Sequence, residues 1–171
     1  MTTSPVTVRA AVAEDLDGIH YIERQSFPDP WSHRMFHDIV GAALLGLAHV
    51  LVAEAEDRIV GFAVAERADP EVHLTNLAVD PLRRRLGIAR HLVAAVLAWA
   101  RSEGLEEVWL EVRESNVAAR SLYRAEGFAV VSRRRDYYRL PTEDALVLVL
   151  PLRSTPPLHE VPIPVSLARC E

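Results

Sequence analysis

One lone glycine, set between an arginine run and an apolar stripe, constrains this chain more than any other feature. The stretch "VDPLRRRLGIARHLVAAVLAWARSEG" (79–104) holds Arg84-x-x-Gly87-x-Ala89 just ahead of Ile88, Leu92, Val96, Trp99 and Ala100. Those apolar residues fall on one face of a helix, which Gly104 closes. A helix start leaves backbone N–H groups unpaired and carries the positive end of the dipole. Small residues there let a backbone approach an anion such as a pyrophosphate. A solvated arginine run before an ordinary helix start has the same spacing, so spacing alone leaves both readings open.

Composition narrows the choice. The chain has 171 residues, the size of one domain, and a net charge of −5. Such an acidic whole disfavours attraction of nucleic acid to the entire surface, so an anion needs a local site. All 19 basic residues are arginine. Walker-type and Schiff-base lysines are therefore excluded. The single cysteine, Cys170, excludes an internal disulfide framework and a cysteine-rich metal site. The histidines show no metal-ligand spacing, and no metal is expected. No apolar run approaches ~18 residues, and "MTTSPVTVRA" lacks a signal-peptide core. A soluble, cytoplasmic protein is expected, with no membrane partner.

Around the central helix the pattern predicts a strand at 6–11, two strands within 48–67, and strands at 72–80, 106–113, 128–140 and 144–152. The hairpin in 48–67 is expected to turn at Asp57-Arg58. Helices are expected at Glu14–Phe27, from Ser32 to about Ala43, and after Asn116, a good N-cap, with Ala119, Leu122 and Tyr123 on one face. The order β-α-α-β-β-β-α-β-α-β-β is a mixed α/β arrangement, not a regular doubly wound repeat. Residues 1–152 are expected to form one domain. Residues 153–171, with Pro156, Pro157, Pro162 and Pro164, read as an extended or disordered tail.

The segment "LTNLAVDPLRRRLGIARHLVAAVLAWARSEGLEEVWLEVRESNVAARSLYRAEGFAVV" (74–131) resembles the core of GNAT-type N-acetyltransferases, and within them the RimI type. Arg84, Gly87 and Ala89 match the Arg/Gln-x-x-Gly-x-Gly/Ala signature. "AVDP" (78–81), "WLEVRESNVAA" (109–119), "LYRAEGF" (122–128) and "RRRDYY…EDALVL" (133–148) follow in the family's order, and "IERQSFPDPWS" (22–32) resembles its N-terminal helix and loop. The resemblance covers residues 6 to about 152. It implies a GNAT fold: a mostly antiparallel sheet with a splayed parallel pair and flanking helices. It implies acetyl-CoA as donor, with pyrophosphate on the amides between Arg85 and Arg90 (Leu86, Gly87, Ile88 and Ala89 among them). Arg84 is a further cofactor-binding candidate, and the arginine side chains are assistants with none singled out for the phosphates. The acetyl and pantetheine arm would run along Leu77, Ala78 and Val79, and Asn116 would touch the cofactor. The acceptor it implies is a protein N-terminus, usually the N-terminal alanine of a small-subunit ribosomal protein. Leu86 and Ala89 depart from the commoner polar residue and second glycine; neither removes an N–H.

Acetyl transfer needs a neutral amine, a positioned thioester and a proton for the leaving thiolate. An α-amine lies ~2.5 pKa units below a lysine amine, a difference of ~3.5 kcal/mol, which makes an N-terminus the easier acceptor. In "VWLEV", Glu111 sits in an apolar strand, where a carboxylate must be paired or open into a cleft. A general base and a surface glutamate paired with Arg113 fit the residues equally. The resemblance selects the base, with burial raising its pKa. Tyr123 reads on spacing as a core tyrosine; the resemblance makes it the general acid. Val79 N–H is a candidate donor to the developing oxyanion. Phe27, Trp31, Tyr137 and Tyr138 are candidates to line the acceptor groove or to serve as packing anchors. Arg133 to Arg135 form a second basic run, read mainly as a solvated face. A relaxed acetyltransferase for several N-termini, lysines or small amines is the rival enzyme reading; a non-catalytic acetyl-CoA-binding module is the other.

Overall fold

A computed structural model describes residues 5–153. Seven strands form one sheet in the order β1-β2-β3-β4-β5-β7-β6. In chain order the elements are β1 (Thr7–Ala10), α1 (Leu16–Ser26), α2 (His33–Leu44), β2 (Ala48–Ala55), β3 (Arg58–Ala68), β4 (Glu71–Val79), α3 (Ile88–Ser102), β5 (Glu107–Arg113), α4 (Val117–Ala125), β6 (Ala129–Arg139) and β7 (Thr142–Pro151). Short 3₁₀ turns precede α1 at Ala13–Asp15 and follow β4 at Pro81–Arg83. Every strand pair is antiparallel except β4 with β5. This is the mixed sheet expected, with one parallel pair.

The predicted elements match in number, kind and order, with small shifts. The expected helix over 14–27 begins as a 3₁₀ turn and becomes α-helical at Leu16. The β2–β3 turn is Glu56-Asp57, not Asp57-Arg58, and Arg58 already pairs with Ala55. Both turn residues have positive φ, 54° and 56°, as a two-residue hairpin matched to strand twist requires. Ser32 caps α2 by accepting from Met35 N–H, and Asn116 caps α4 by accepting from Ala119 N–H. The Pro-rich tail expected at 153–171 lies outside the described residues from 154 onward, and so does Cys170.

Two apolar layers cover the sheet. On one face Ile88, Leu92, Val93, Val96 and Ala100 of α3 pack on Val72, Val79, Val108, Leu110 and Val112. On the other, Ile19 and Ile22 of α1 and Phe36 of α2 pack on Val52, Phe62, Val64 and Ala78. Phe36 is fully buried, a contribution of about 1.5–3 kcal/mol. Gly61 lets α3 come down tightly: a Cβ there would lie 3.1 Å from Ala78 O and 3.2 Å from Ile88 Cγ2.

The site is positioned by an irregularity in β4. Ala65 pairs with Leu74 and Val64 with Asn76, so Thr75 is an extra residue. Such a bulge bends its strand and increases local twist. It also switches parity: Val72 and Leu74 face α3 before it, and Leu77 and Val79 after it. The β4–β5 pairing stops at His73–Trp109, immediately before the bulge. Beyond that point β4 stays with β3 and β5 stays with β7, and a wedge opens between them.

Candidate active site

The wedge has one lip in β4 and one in β5. On the β4 lip, Leu77, Ala78 and Val79 pair with Ala63, Phe62 and Gly61 of β3, and β5 has left their other edge. A parallel neighbour would have taken the backbone groups on that edge, so they face the wedge. The sequence-predicted strand for a pantetheine arm thus has the right kind of edge.

The loop after β4 is tightly wound. Asp80 accepts from Leu82 N–H at 3.0 Å, and Pro81 starts the 3₁₀ turn. Arg85 and Gly87 take positive φ, 68° and 80°. A Cβ on Gly87 would meet nothing within 4 Å, so the left-handed backbone, not crowding, is what demands glycine here. His91 N–H closes the first turn of α3 on Gly87 O at 3.1 Å. The amides of Ile88, Ala89 and Arg90 lie ahead of that bond and have no intrahelical partner. An open cleft of about 460 Å³, lined by Arg85, Val117, Ala118 and Ser121, runs from this loop to α4. The open amides, the small residues and the cleft fit a pyrophosphate-containing ligand.

The arginine side chains divide their work. Arg83 bonds Glu56 and Arg90 bonds Glu126, each at 2.8 Å. Arg84 turns inward, donating to Val79 O at 3.2 Å and to Ser26 Oγ at 3.3 Å. It ties the end of β4 to the end of α1. Arg85 has no side-chain partner among the described residues and lines the cleft. It is the guanidinium free to meet a phosphate. Leu86 is exposed beside it, and Asn116 spends its side-chain oxygen on the α4 cap.

Glu111 stands on the β5 lip, where β5 has separated from β4. Val108, Leu110 and Val112 face α3, so Glu111 with Trp109 and Arg113 faces the α1–α2 side. Its side chain is 15% exposed and meets Arg134 Nη1 at 3.1 Å. The pairing with Arg113 that the sequence left open does not occur. Arg113 bonds Glu143 at 3.2 Å and stacks on the Tyr138 ring at 4.1 Å. Burial pushes the Tyr138 phenol up to about 12, with Tyr137 adding to the rise.

Tyr123 lies on α4 among the α3-side core, against Phe128 at 5.6 Å. No buried side-chain nitrogen or oxygen among the described residues lacks a partner. The Tyr123 hydroxyl has no hydrogen bond among the described residues, so its oxygen is not completely sealed from solvent. Burial, with a smaller effect of Tyr138, holds its pKa well above the usual phenol value. It therefore keeps its proton throughout the neutral range. Glu111 and Tyr123 belong to opposite faces of the sheet, and the wedge is the opening between those faces.

Sequence reasoning passed over Glu23 and Asn76. Glu23 is 1% exposed. Its carboxylate accepts from Trp31 N–H at 2.8 Å and from Asn76 Nδ2 at 3.0 Å. Burial raises its pKa, against the lowering effect of both hydrogen bonds. The group locks the α1–α2 loop onto β4 beside the wedge. A signal was present: Glu23 falls four residues after Ile19, on the buried stripe of α1. Trp31 and Phe27 pack against the α1–α2 core, with Trp31 5.4 Å from Phe36, and act as anchors of that loop.

Among the described residues no group of histidine, cysteine, aspartate and glutamate is arranged to hold a metal, and no helix is long and apolar enough to cross a membrane. The second basic run lies on β6, where Arg133 pairs with Glu114 and Asp144.

Known proteins share this fold. The chain is 35% identical over 150 residues to the [ribosomal protein bS18]-alanine N-acetyltransferase of Salmonella typhimurium, covering 85% of this chain and 97% of that protein. It is 32% identical over 146 residues to the enzyme of the same name from Haemophilus ducreyi, covering 84% and 98%. The crystal structure of the ribosomal-protein-S18-alanine N-acetyltransferase from Escherichia coli superposes with a TM-score of 0.80 at 29% identity, over 90% of this chain and 98% of that one. Residues 16–128 match the acetyltransferase (GNAT) family, and the chain is a member of it.

Proposed function

We propose that this protein is an acetyl-CoA-dependent N-α-acetyltransferase whose acceptor is the N-terminal alanine of ribosomal protein bS18. The observation that carries the reading is the wedge with Glu111 on one face and the Tyr123 hydroxyl on the other. A donor held along α3 and β4 and an acceptor entering from the α1–α2 side meet only there. The named activity of the relatives supplies the acceptor. Residues 1–152 form the catalytic domain.

Transfer is direct, within a ternary complex. The α3 amides and Arg85 hold the donor's phosphates, and the free edge of Leu77–Val79 aligns its arm. Glu111, directly or through a water, takes the proton of the acceptor ammonium. The neutral amine attacks the thioester carbonyl, whose oxygen gains charge beside the Val79 N–H. The C–S bond breaks, and Tyr123 donates to the departing sulfur. A phenol above pKa 10 facing a thiolate whose acid is near 8.5 is uphill by about 2 kcal/mol or more. Tyr123 therefore acts first as a hydrogen-bond donor. As the C–S bond breaks its proton passes to the sulfur. The second proton leaving the nitrogen restores the Tyr123 hydroxyl through water, and Glu111 releases the first to solvent.

The test is mass spectrometry of acceptors after incubation with acetyl-CoA: a peptide with the bS18 N-terminus, the same peptide with other first residues, a lysine peptide blocked at its N-terminus, and small amines. Modification of the bS18 peptide at its α-amine, ahead of all the others, supports the reading. An unmodified bS18 peptide beside acetylated small amines overturns the acceptor and leaves a relaxed acetyltransferase.

A further inference from the structure

The ion pair on Glu111 presents a problem for the reaction. The base must receive an ammonium, yet a guanidinium already stands 3.1 Å from it. Arg134 reaches Glu111 from two strands away. Glu111 pairs with Val147 and Arg113 with Ala145. Ala145 in turn pairs with Arg134, so the arginine crosses β7 diagonally to the carboxylate. The small Ala145 side chain leaves that path open.

The rest of the surroundings make the contact exchangeable. The Arg134 side chain is 51% exposed, unlike the carboxylate it meets. The β6–β7 register breaks between Arg134 and Tyr138, where Asp136 takes φ 49° and gives its N–H to Asp144 at 3.0 Å. The break brings the Tyr137 ring within 5.5 Å of the guanidinium carbon. Arg134 thus has a second anchor, a cation–π contact, that does not depend on Glu111. Arg113 is committed to Glu143 and Tyr138 and does not compete.

We propose that Arg134 is a displaceable counter-ion: it holds Glu111 before the acceptor arrives and yields to the incoming ammonium, withdrawing onto Tyr137. This rests on the reading of Glu111 as the acceptor's base. Exchange of one cation for another keeps a largely buried carboxylate compensated throughout, and an uncompensated one is costly. It also makes the guanidinium a competitor of the acceptor ammonium. Arg134 is a positioning residue acting through Glu111.

The experiment measures, by calorimetry, binding of an alanine-starting bS18 peptide to the CoA-bound protein, with steady-state KM in parallel. Arg134→Gln tightens peptide binding about 2- to 5-fold, the range set by a half-exposed ion pair. KM for the peptide falls with it, while KM for acetyl-CoA stays. Arg134→Lys, which keeps a cation, stays near wild type. Millimolar guanidinium loosens the peptide from Arg134→Gln more than from wild type. The tightening disappears when Glu111→Gln is the background. Unchanged or weaker peptide binding in an Arg134→Gln protein that melts like wild type overturns the proposal, as does tightening that persists without Glu111. Arg134→Met is the second variant should Gln not fold. Failure of the base reading is a different result: Glu111→Gln that still turns over at the wild-type rate.

Discussion

Glu23 and Glu111 are carboxylates on the same side of the sheet, one on each side of the β4–β5 wedge, and the fold treats them in opposite ways. Glu23 is sealed in and, among the described residues, satisfied only by neutral donors, Trp31 N–H and the Asn76 amide. Glu111 is nearer the surface and faces a half-exposed guanidinium at 3.1 Å. The first arrangement fixes a loop. The second keeps a charge available. The difference comes from neighbours: Glu23 is covered by α1, the α1–α2 loop and β4, whereas β5 has parted from β4 where Glu111 stands.

The largest expected effect breaks the available side of this comparison. Glu111→Gln should lower kcat by about 10²–10⁴-fold while leaving acetyl-CoA affinity near wild type, measured by steady-state kinetics and cofactor binding. Unaltered turnover removes Glu111 as the base. Tyr123→Phe should give a smaller loss, about 10–10²-fold, because a hydrogen bond to the departing sulfur is lost while the base remains. A Tyr123→Phe enzyme as fast as wild type returns Tyr123 to a packing role.

The sealed side should fail through stability. Glu23→Ala leaves the Trp31 N–H and the Asn76 amide without their acceptor, at about 1–3 kcal/mol for each buried group. Thermal melting reads this, and peptide KM should rise as the α1–α2 loop loses its tie. Glu23→Gln should be far milder, within about 1 kcal/mol, since its oxygen replaces the acceptor and Asn76 can turn its amide. Its signature is in pH. The folded pKa of Glu23 is raised by burial, so the native state binds more protons than the unfolded chain above the ordinary carboxylate value. The stability this contributes is fully present below that value and is lost as pH rises through the folded pKa. Denaturant melts should therefore show Glu23→Gln gaining on wild type from acid towards neutral pH; a flat difference would show that burial does not govern this group.

The sequence was most legible where periodicity is regular. The stripe from Ile88 to Ala100 and the alternation of Val108, Leu110 and Val112 predicted α3, β5 and the buried face of each. Asn116 announced its cap because a short polar side chain before an apolar run has few other uses, whereas Ser32, expected only as the start of a helix, showed itself as a cap in the structure. The hairpin turn was displaced by one residue because neither Glu56 nor Arg58 carries the Gly or Asn signal that marks a two-residue turn. The arginine run drew attention for its charge, yet Arg83, Arg84 and Arg90 are bonded within the protein, and Arg85 alone of the four has no partner among the described residues. Glu111 stood out because it interrupts an apolar strand. Glu23 was hidden because a glutamate in a helix is ordinary unless the stripe it falls on is known to be buried.

By itself the sequence determined the order of elements, the faces of α3 and β5, and the Gly87 turn that leaves helix amides open. These are local matters, set by spacing, capping and backbone freedom within a few residues. Only the tertiary structure decided that Thr75 is an extra residue, that β4 and β5 part beyond His73 and Trp109, and that Arg134 rather than Arg113 meets Glu111. Strand register and cross-strand reach depend on which strands lie side by side, and neighbours along the chain do not encode that.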